Sequence, residues 1–151
     1  MEAECVSIRG PGGAVWLLSG AQAAAYGDLS NTFDLTSRMT GRPVSVALGP
    51  RYEVLYGLTC SLPNGGTNTV SIHQVLYPYA WFRSLAQVWT FTPPGQPACG
   101  TAQAPATGWV ASRGGLFDVL KTAGLPEAPP AAAPVRRRHP SRADHHSRGT
   151  R

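Results

Sequence analysis

The chain predicts an α+β domain: a small, mostly antiparallel sheet of about five or six strands, a C-terminal helix, and short N-terminal helical pieces packed with it. Three observations lead there. Apolar residues alternate with polar ones in period two through the middle of the chain, with Tyr52, Val54, Tyr56 and Leu58 on one side and Arg51, Glu53 and Leu55 opposite. This is the pattern of a half-buried antiparallel strand. Only Leu116, Val119, Leu120 and Ala123 have the i, i+3, i+4, i+7 spacing of a helix with one apolar stripe. Finally, 17 Gly and 14 Pro among 151 residues break the sequence too often for long helices. Their share still stays below the roughly 25–30% of low-complexity chains.

The elements follow in order. Val6 and Ile8 share one face of an extended segment, Gly10-Pro11-Gly12-Gly13 turns it, and the apolar residues 14–18 resume it. Together they read as a first hairpin. Ser19-Gly20-Ala21-Gln22 has the spacing of a capping box, with Ser19 as N-cap, so one or two helical turns are expected over residues 21–26. A second short helical stretch is expected within residues 28–39, ended by Gly41 and Pro43. Val44, Val46 and Leu48 begin the strand alternation, which continues after Gly49-Pro50 through residues 51–58. Pro63-Asn64-Gly65-Gly66 supplies a hairpin connection. Val70, Ile72 and Leu76 carry the next strand to Tyr77, and residues 88–92 make another before Pro93-Pro94-Gly95-Gln96-Pro97 closes it. In the closing helix Gly124 is placed as C′ and Leu125 as C″, and Pro126 prevents continuation. So short a helix is stable only when docked on the sheet.

Residues 1–126 therefore make a single domain. Residues 127–134 hold only Pro, Ala and one acid, the composition of a semi-rigid linker. Residues 135–151 carry one apolar side chain larger than Ala and cannot offset their ordering entropy, so a disordered Arg/His-rich tail is expected. The net charge of +5 divides unevenly along this boundary: residues 1–126 carry +1 and the remainder +4. The sequence pI of 9.6 is thus a property of the tail. Arg136, Arg137, Arg138 and Arg142 are its candidates for non-specific polyanion contact.

Three cysteines, Cys5, Cys60 and Cys99, contain no C-x-x-C pair, which excludes a zinc ribbon and a thioredoxin motif. The count admits one bridge, Cys60–Cys99, in an oxidising compartment, or three buried thiols, and free thiols are the favoured reading. Glu2 and Glu4 stand where a secretion signal carries cations, and the Gly-Pro-Gly-Gly after Arg9 would break its apolar helix. No apolar run approaches the roughly 18–20 residues that span a bilayer. As written, the chain is expected to be cytoplasmic, and exported if its true start lies upstream.

Candidate chemistry is sparse. His73, on an alternating strand, and Glu53 are the candidates for acid–base work, and a solvent-face histidine is the reading preferred for His73. No second histidine precedes residue 127 to complete a metal site, so neither a metal nor a cofactor is expected. Tyr79, Trp81, Phe82 and Arg83 are the candidate binding patch, because consecutive Trp81 and Phe82 cannot both face inward on a strand.

The order of several fragments resembles a group of small actinobacterial proteins of unknown function, usually exported. The fragments are Ile8-Arg9-Gly10-Pro11-Gly12, Leu48-Gly49-Pro50-Arg51-Tyr52-Glu53-Val54, Leu76-Tyr77-Pro78-Tyr79-Ala80, Pro93-Pro94-Gly95-Gln96, Gly108-Trp109 and the Ala-Gly-Leu-Pro end at Pro126. The resemblance covers roughly residues 6–126 and implies no activity or site residue. Trp81-Phe82-Arg83 and the Arg/His tail depart from it. The expected role is a non-enzymatic domain for protein or cell-envelope interaction with a flexible basic tail. The alternatives are a small hydrolase or transferase using His73 with a carboxylate, and accessory nucleic-acid or polyanion binding through the tail.

Overall fold

The structure, a computed structural model, describes residues 2–34, 38–39, 41–43, 46–82, 85–99 and 105–130. Its strands are β1 (Glu2–Arg9), β2 (Val15–Ser19), β3 (Arg38–Met39), β4 (Tyr52–Ser61), β5 (Thr67–Phe82), β6 (Leu85–Thr92) and β7 (Gly108–Ala111). The helices are α1 (Ala21–Leu29) and α2 (Leu116–Thr122). The strands form one sheet in the order β2-β1-β4-β5-β6-β7-β3, antiparallel throughout. Six strands carry it, and β3 adds two residues at one edge.

Alternation decides which side of the sheet is covered. Tyr52, Val54, Tyr56, Leu58 and Cys60 of β4 all point to one face, beside Val6 and Ile8 of β1 and Ile72 and Leu76 of β5. α1 and α2 close over that face through Ala23, Tyr26, Leu116 and Leu120. A smaller cluster lies around Ala80 and Trp89, where Leu48 and Val46 pack with Tyr77 and Trp109. Ala47 and Trp81 exchange both backbone hydrogen bonds, at 3.1 and 2.9 Å, and so strap residues 46–48 to the end of β5. The alternation at Val46 and Leu48 yields this single bridge and not a strand. Val44 and Ser45 lie outside the described residues.

Turn chemistry places the hairpins. The β4–β5 connection closes through Leu62 N–H to Gly66 O at 2.8 Å, with Gly65 at φ +82°, a conformation glycine reaches without strain. α2 ends in the arrangement its sequence spells: Gly124 N–H donates to Lys121 O and Leu125 N–H to Leu120 O, at 2.9 and 3.0 Å, the two bonds of a Schellman motif. Leu125 is buried and residues 126–130 are exposed.

Two expectations need correction at the N-terminal side. The capping box at Ser19 does not form: Ser19 ends β2, and Gly20, at φ +54°, is the N-cap of α1 with no side-chain bond. The chain must reverse from strand to helix within one residue, which glycine's backbone permits. The second helical stretch is missing over the described part of 28–39, where Ser30–Phe33 form turns and a two-residue strand follows at Arg38–Met39.

The expectation of free thiols is also corrected. Cys60, at the end of β4, and Cys99, beyond the turn after β6, form a disulfide with their Cα atoms 5.3 Å apart. Pairing β4 to β5 and β5 to β6 brings the two together, within the ordinary range for a bridge. Cys5 is free and exposed. The tail and its four candidate arginines lie outside the described residues.

Candidate functional site

Among the described residues, nothing covers the opposite face of the sheet over β2, β1 and β4. The strand register sets its side chains in rows. Leu17, Ser7, Leu55 and His73 form one row across β2, β1, β4 and β5, and Val15, Arg9, Glu53 and Val75 form the next. A shallow depression of about 310 Å³ is lined by Ser7, Arg9, Glu53, Leu55 and His73. His73 and Glu53, the two candidate acid–base groups, are therefore diagonal neighbours on adjacent strands.

The groups nevertheless do not assemble a proton relay. Glu53 Oε1 is held by Arg51, with Nε and Nη2 at 2.9 and 2.8 Å. The His73 ring is exposed and has no hydrogen bond or ion pair among the described residues; its backbone N–H donates to Gln96 Oε1 at 2.8 Å. Ser7 and His73 flank Leu55 on opposite sides, which puts two strand spacings, roughly 9.5 Å, between them. A hydroxyl nucleophile must lie about 3 Å from its base. Ser7 is therefore out of reach of the His73 ring.

The aromatic patch is divided by the structure. Tyr79 is core: it is buried, its ring packs edge-on to Phe117 with centroids 5.7 Å apart, and its hydroxyl donates to Pro126 O at 2.6 Å. Burial, reinforced by the adjoining Tyr52, raises its phenol above the usual tyrosine range. Its assignment to a binding surface is therefore withdrawn. The β-bulge between Tyr77 and Ala80 is the physical reason, since one extra residue shifts which side chains face inward. Trp81 is half exposed, at 50%. The side chain of Phe82, and Arg83, lie outside the described residues.

Two features escaped the linear reading. Val15 and Leu17 stand on the uncovered face, exposed at 49% and 69%, with Leu55 at 44% on the same face two strands away. The signal was present: in the apolar run 14–18, Trp16 and Leu18 turn inward, so Val15 and Leu17 must turn outward. The other feature is a buried polar network. Tyr26 Oη donates to Gln74 Oε1 at 2.8 Å, and Gln74 Nε2 donates to Thr32 and Thr92 Oγ1 at 3.1 and 3.0 Å. It ties α1 and the turn after it to β5 and β6, and Gln74 is 1% exposed.

A second depression of about 290 Å³ lies against the start of α2, lined by Gln87, Ser112, Arg113 and Phe117 among others. Its one charged side chain, Arg113, is 3.8 Å from Asp28. Among the described residues no three His, Cys, Asp or Glu side chains gather as metal ligands, and no helix is long and apolar enough to cross a membrane. Compared with known proteins, the chain matches no family model, no curated protein and no solved structure.

Proposed function

We propose that this is a non-enzymatic interaction domain that contacts a protein partner through the uncovered β2–β1–β4 face. One observation carries the reading. The solvent face of an antiparallel sheet is ordinarily polar, yet Val15 and Leu17 lie side by side on β2, Leu55 stands two strands away across Ser7, and the three are 49%, 69% and 44% exposed. Clustered exposed apolar side chains mark surfaces that another molecule covers. Arg9 and Glu53 at the margin supply a polar rim of both signs.

The test is photo-cross-linking in cells that produce the full chain. A photoreactive phenylalanine analogue replaces Leu55, and in a second strain Asn64, in the β4–β5 turn. A discrete adduct is expected from position 55 and none from position 64. Identical adducts from both positions, or none from either, would count against the face. A turnover of any hydrolysable substrate that disappears in His73→Ala would replace the reading with the enzymatic one.

A further inference from the structure

We infer that the free edge of β2 pairs with β2 of a second copy of this chain, continuing the sheet across a twofold axis at Leu17. The hydrogen-bond phase of the sheet decides which groups are on offer. Gly10 N–H donates to Ala14 O at 2.8 Å, so the even-numbered residues of β2 turn their backbone groups toward β1. The same phase runs on through the sheet, and His73 N–H, on β5, accordingly points away from β4 to Gln96. The N–H and C=O of Val15, Leu17 and Ser19 therefore face outward. Among the described residues β2 has no neighbour on that side.

Natural sheets protect such an edge with brevity, a charge, a proline or a bulge. The opposite edge, β3, is two residues long. β2 has five residues, Val-Trp-Leu-Leu-Ser, with no charge and no proline, and its register with β1 is unbroken. Residues 10–27 contain no charged side chain at all, in a chain of net charge +5. Two copies that repel through their net charge meet at least cost along this neutral margin.

The strand is also complementary to itself. With Leu17 opposite Leu17 of the second copy, Val15 falls opposite Ser19, and each outward N–H finds a carbonyl. The exposed Leu17 side chains become cross-strand neighbours at roughly 5.5 Å between Cα atoms, and the apolar patches of both copies join. α1 leaves room. α1 packs chiefly over β1, and the two β1 strands would stand three spacings, about 14 Å, apart. Packed helices need only about 8–10 Å. Five residues a side fall short of the roughly 20–30 of a standard interface, so the dimer is weak and concentration-dependent.

Sedimentation velocity over a concentration series tests this, using the full chain with Cys5→Ser to exclude adventitious disulfides. The mass is expected to rise from monomer to dimer and stop there, because a twofold interface closes. Leu17→Pro removes an outward N–H that β1 does not use, a change an edge strand accepts. Leu17→Lys places two cations across the axis. Both are expected to weaken association at least tenfold, whereas Ser71→Lys, exposed on β5 three strands in, leaves it unchanged. If circular dichroism shows Leu17→Pro unfolded, Leu17→Lys decides, together with exchange of the Val15 and Leu17 amides in the unsubstituted chain, which should slow as concentration rises. A strictly monomeric chain, growth beyond the dimer, association indifferent to Leu17, or amide exchange independent of concentration would each overturn the inference. The proposal concerns the backbone edge and not the face beside it, so a monomeric result leaves the cross-link at Leu55 as a separate outcome.

Discussion

Replacing Gln74 by Leu asks whether a buried polar network holds the helical layer to the sheet. Gln74 Oε1 accepts from Tyr26, and Nε2 donates to Thr32 and Thr92, all in the core. In Gln74→Leu the Tyr26 and Thr92 hydroxyls lose these bonds, while Thr32 keeps Ser30 at 2.6 Å. Stranding a buried polar group costs about 1–3 kcal/mol. Two such groups at about 2 kcal/mol each, offset by about 1–2 kcal/mol from the apolar gain of the leucine, leave a net loss of about 2–3 kcal/mol. Urea unfolding at constant m reads the difference through the midpoint. The double variant Tyr26→Phe, Gln74→Leu removes one stranded hydroxyl and should recover about 1 kcal/mol. A single variant within about 0.5 kcal/mol of the unsubstituted chain, or a double variant with no recovery, would refute the network's role.

Other outcomes follow from the same contacts. The Cys60–Cys99 bridge closes a sequence separation of 39, for which loop-closure entropy gives a loss of about 4 kcal/mol in Cys60→Ser, Cys99→Ser; equal unfolding midpoints with and without reductant would contradict the bridge. Burial pushes the Tyr56 phenol up to about 12, and raises Tyr26 and Tyr79 as well. Because these folded values lie above the unfolded 10.0, the stabilisation is intact below pH 10 and is lost as pH rises through the folded values. Phenolate absorbance should show Tyr56 titrating late, and a Tyr56→Phe variant with an unchanged high-pH titration would disprove it. Gly27→Ala improves helix propensity by about 1 kcal/mol, yet its Cβ would overlap Tyr56 Oη. Overpacking costs about 1–3 kcal/mol, so net destabilisation is expected, and a higher midpoint would reverse the argument. His73→Ala should shift stability by less than about 0.5 kcal/mol, measured by the same unfolding, because the ring is exposed.

Much of this is legible in the sequence alone. The alternation at Tyr52, Val54, Tyr56 and Leu58 named the covered face of β4, and the stripe at Leu116, Val119 and Leu120 with Gly124 and Leu125 named α2 and its end. Both are local signals, in which each residue reports its own side of a strand or helix. Ser19 misled because a capping-box spacing says nothing of whether the residue is already committed to a strand pair. Tyr79 misled because a bulge inverts the side-chain parity that periodicity assumes.

What residue order alone determined, then, was the kind of element at most positions and the direction its side chains take along it. What only tertiary structure decided was who meets whom. The order β2-β1-β4-β5-β6-β7-β3 brings Cys60 to Cys99 and Gln74 to Tyr26, and it sets Leu17 and Leu55 on either side of Ser7 on a face no described helix covers. These pairings span tens of residues, and periodicity carries no information over that distance. The energy that selects them comes from burying one shared face, a quantity no single strand possesses.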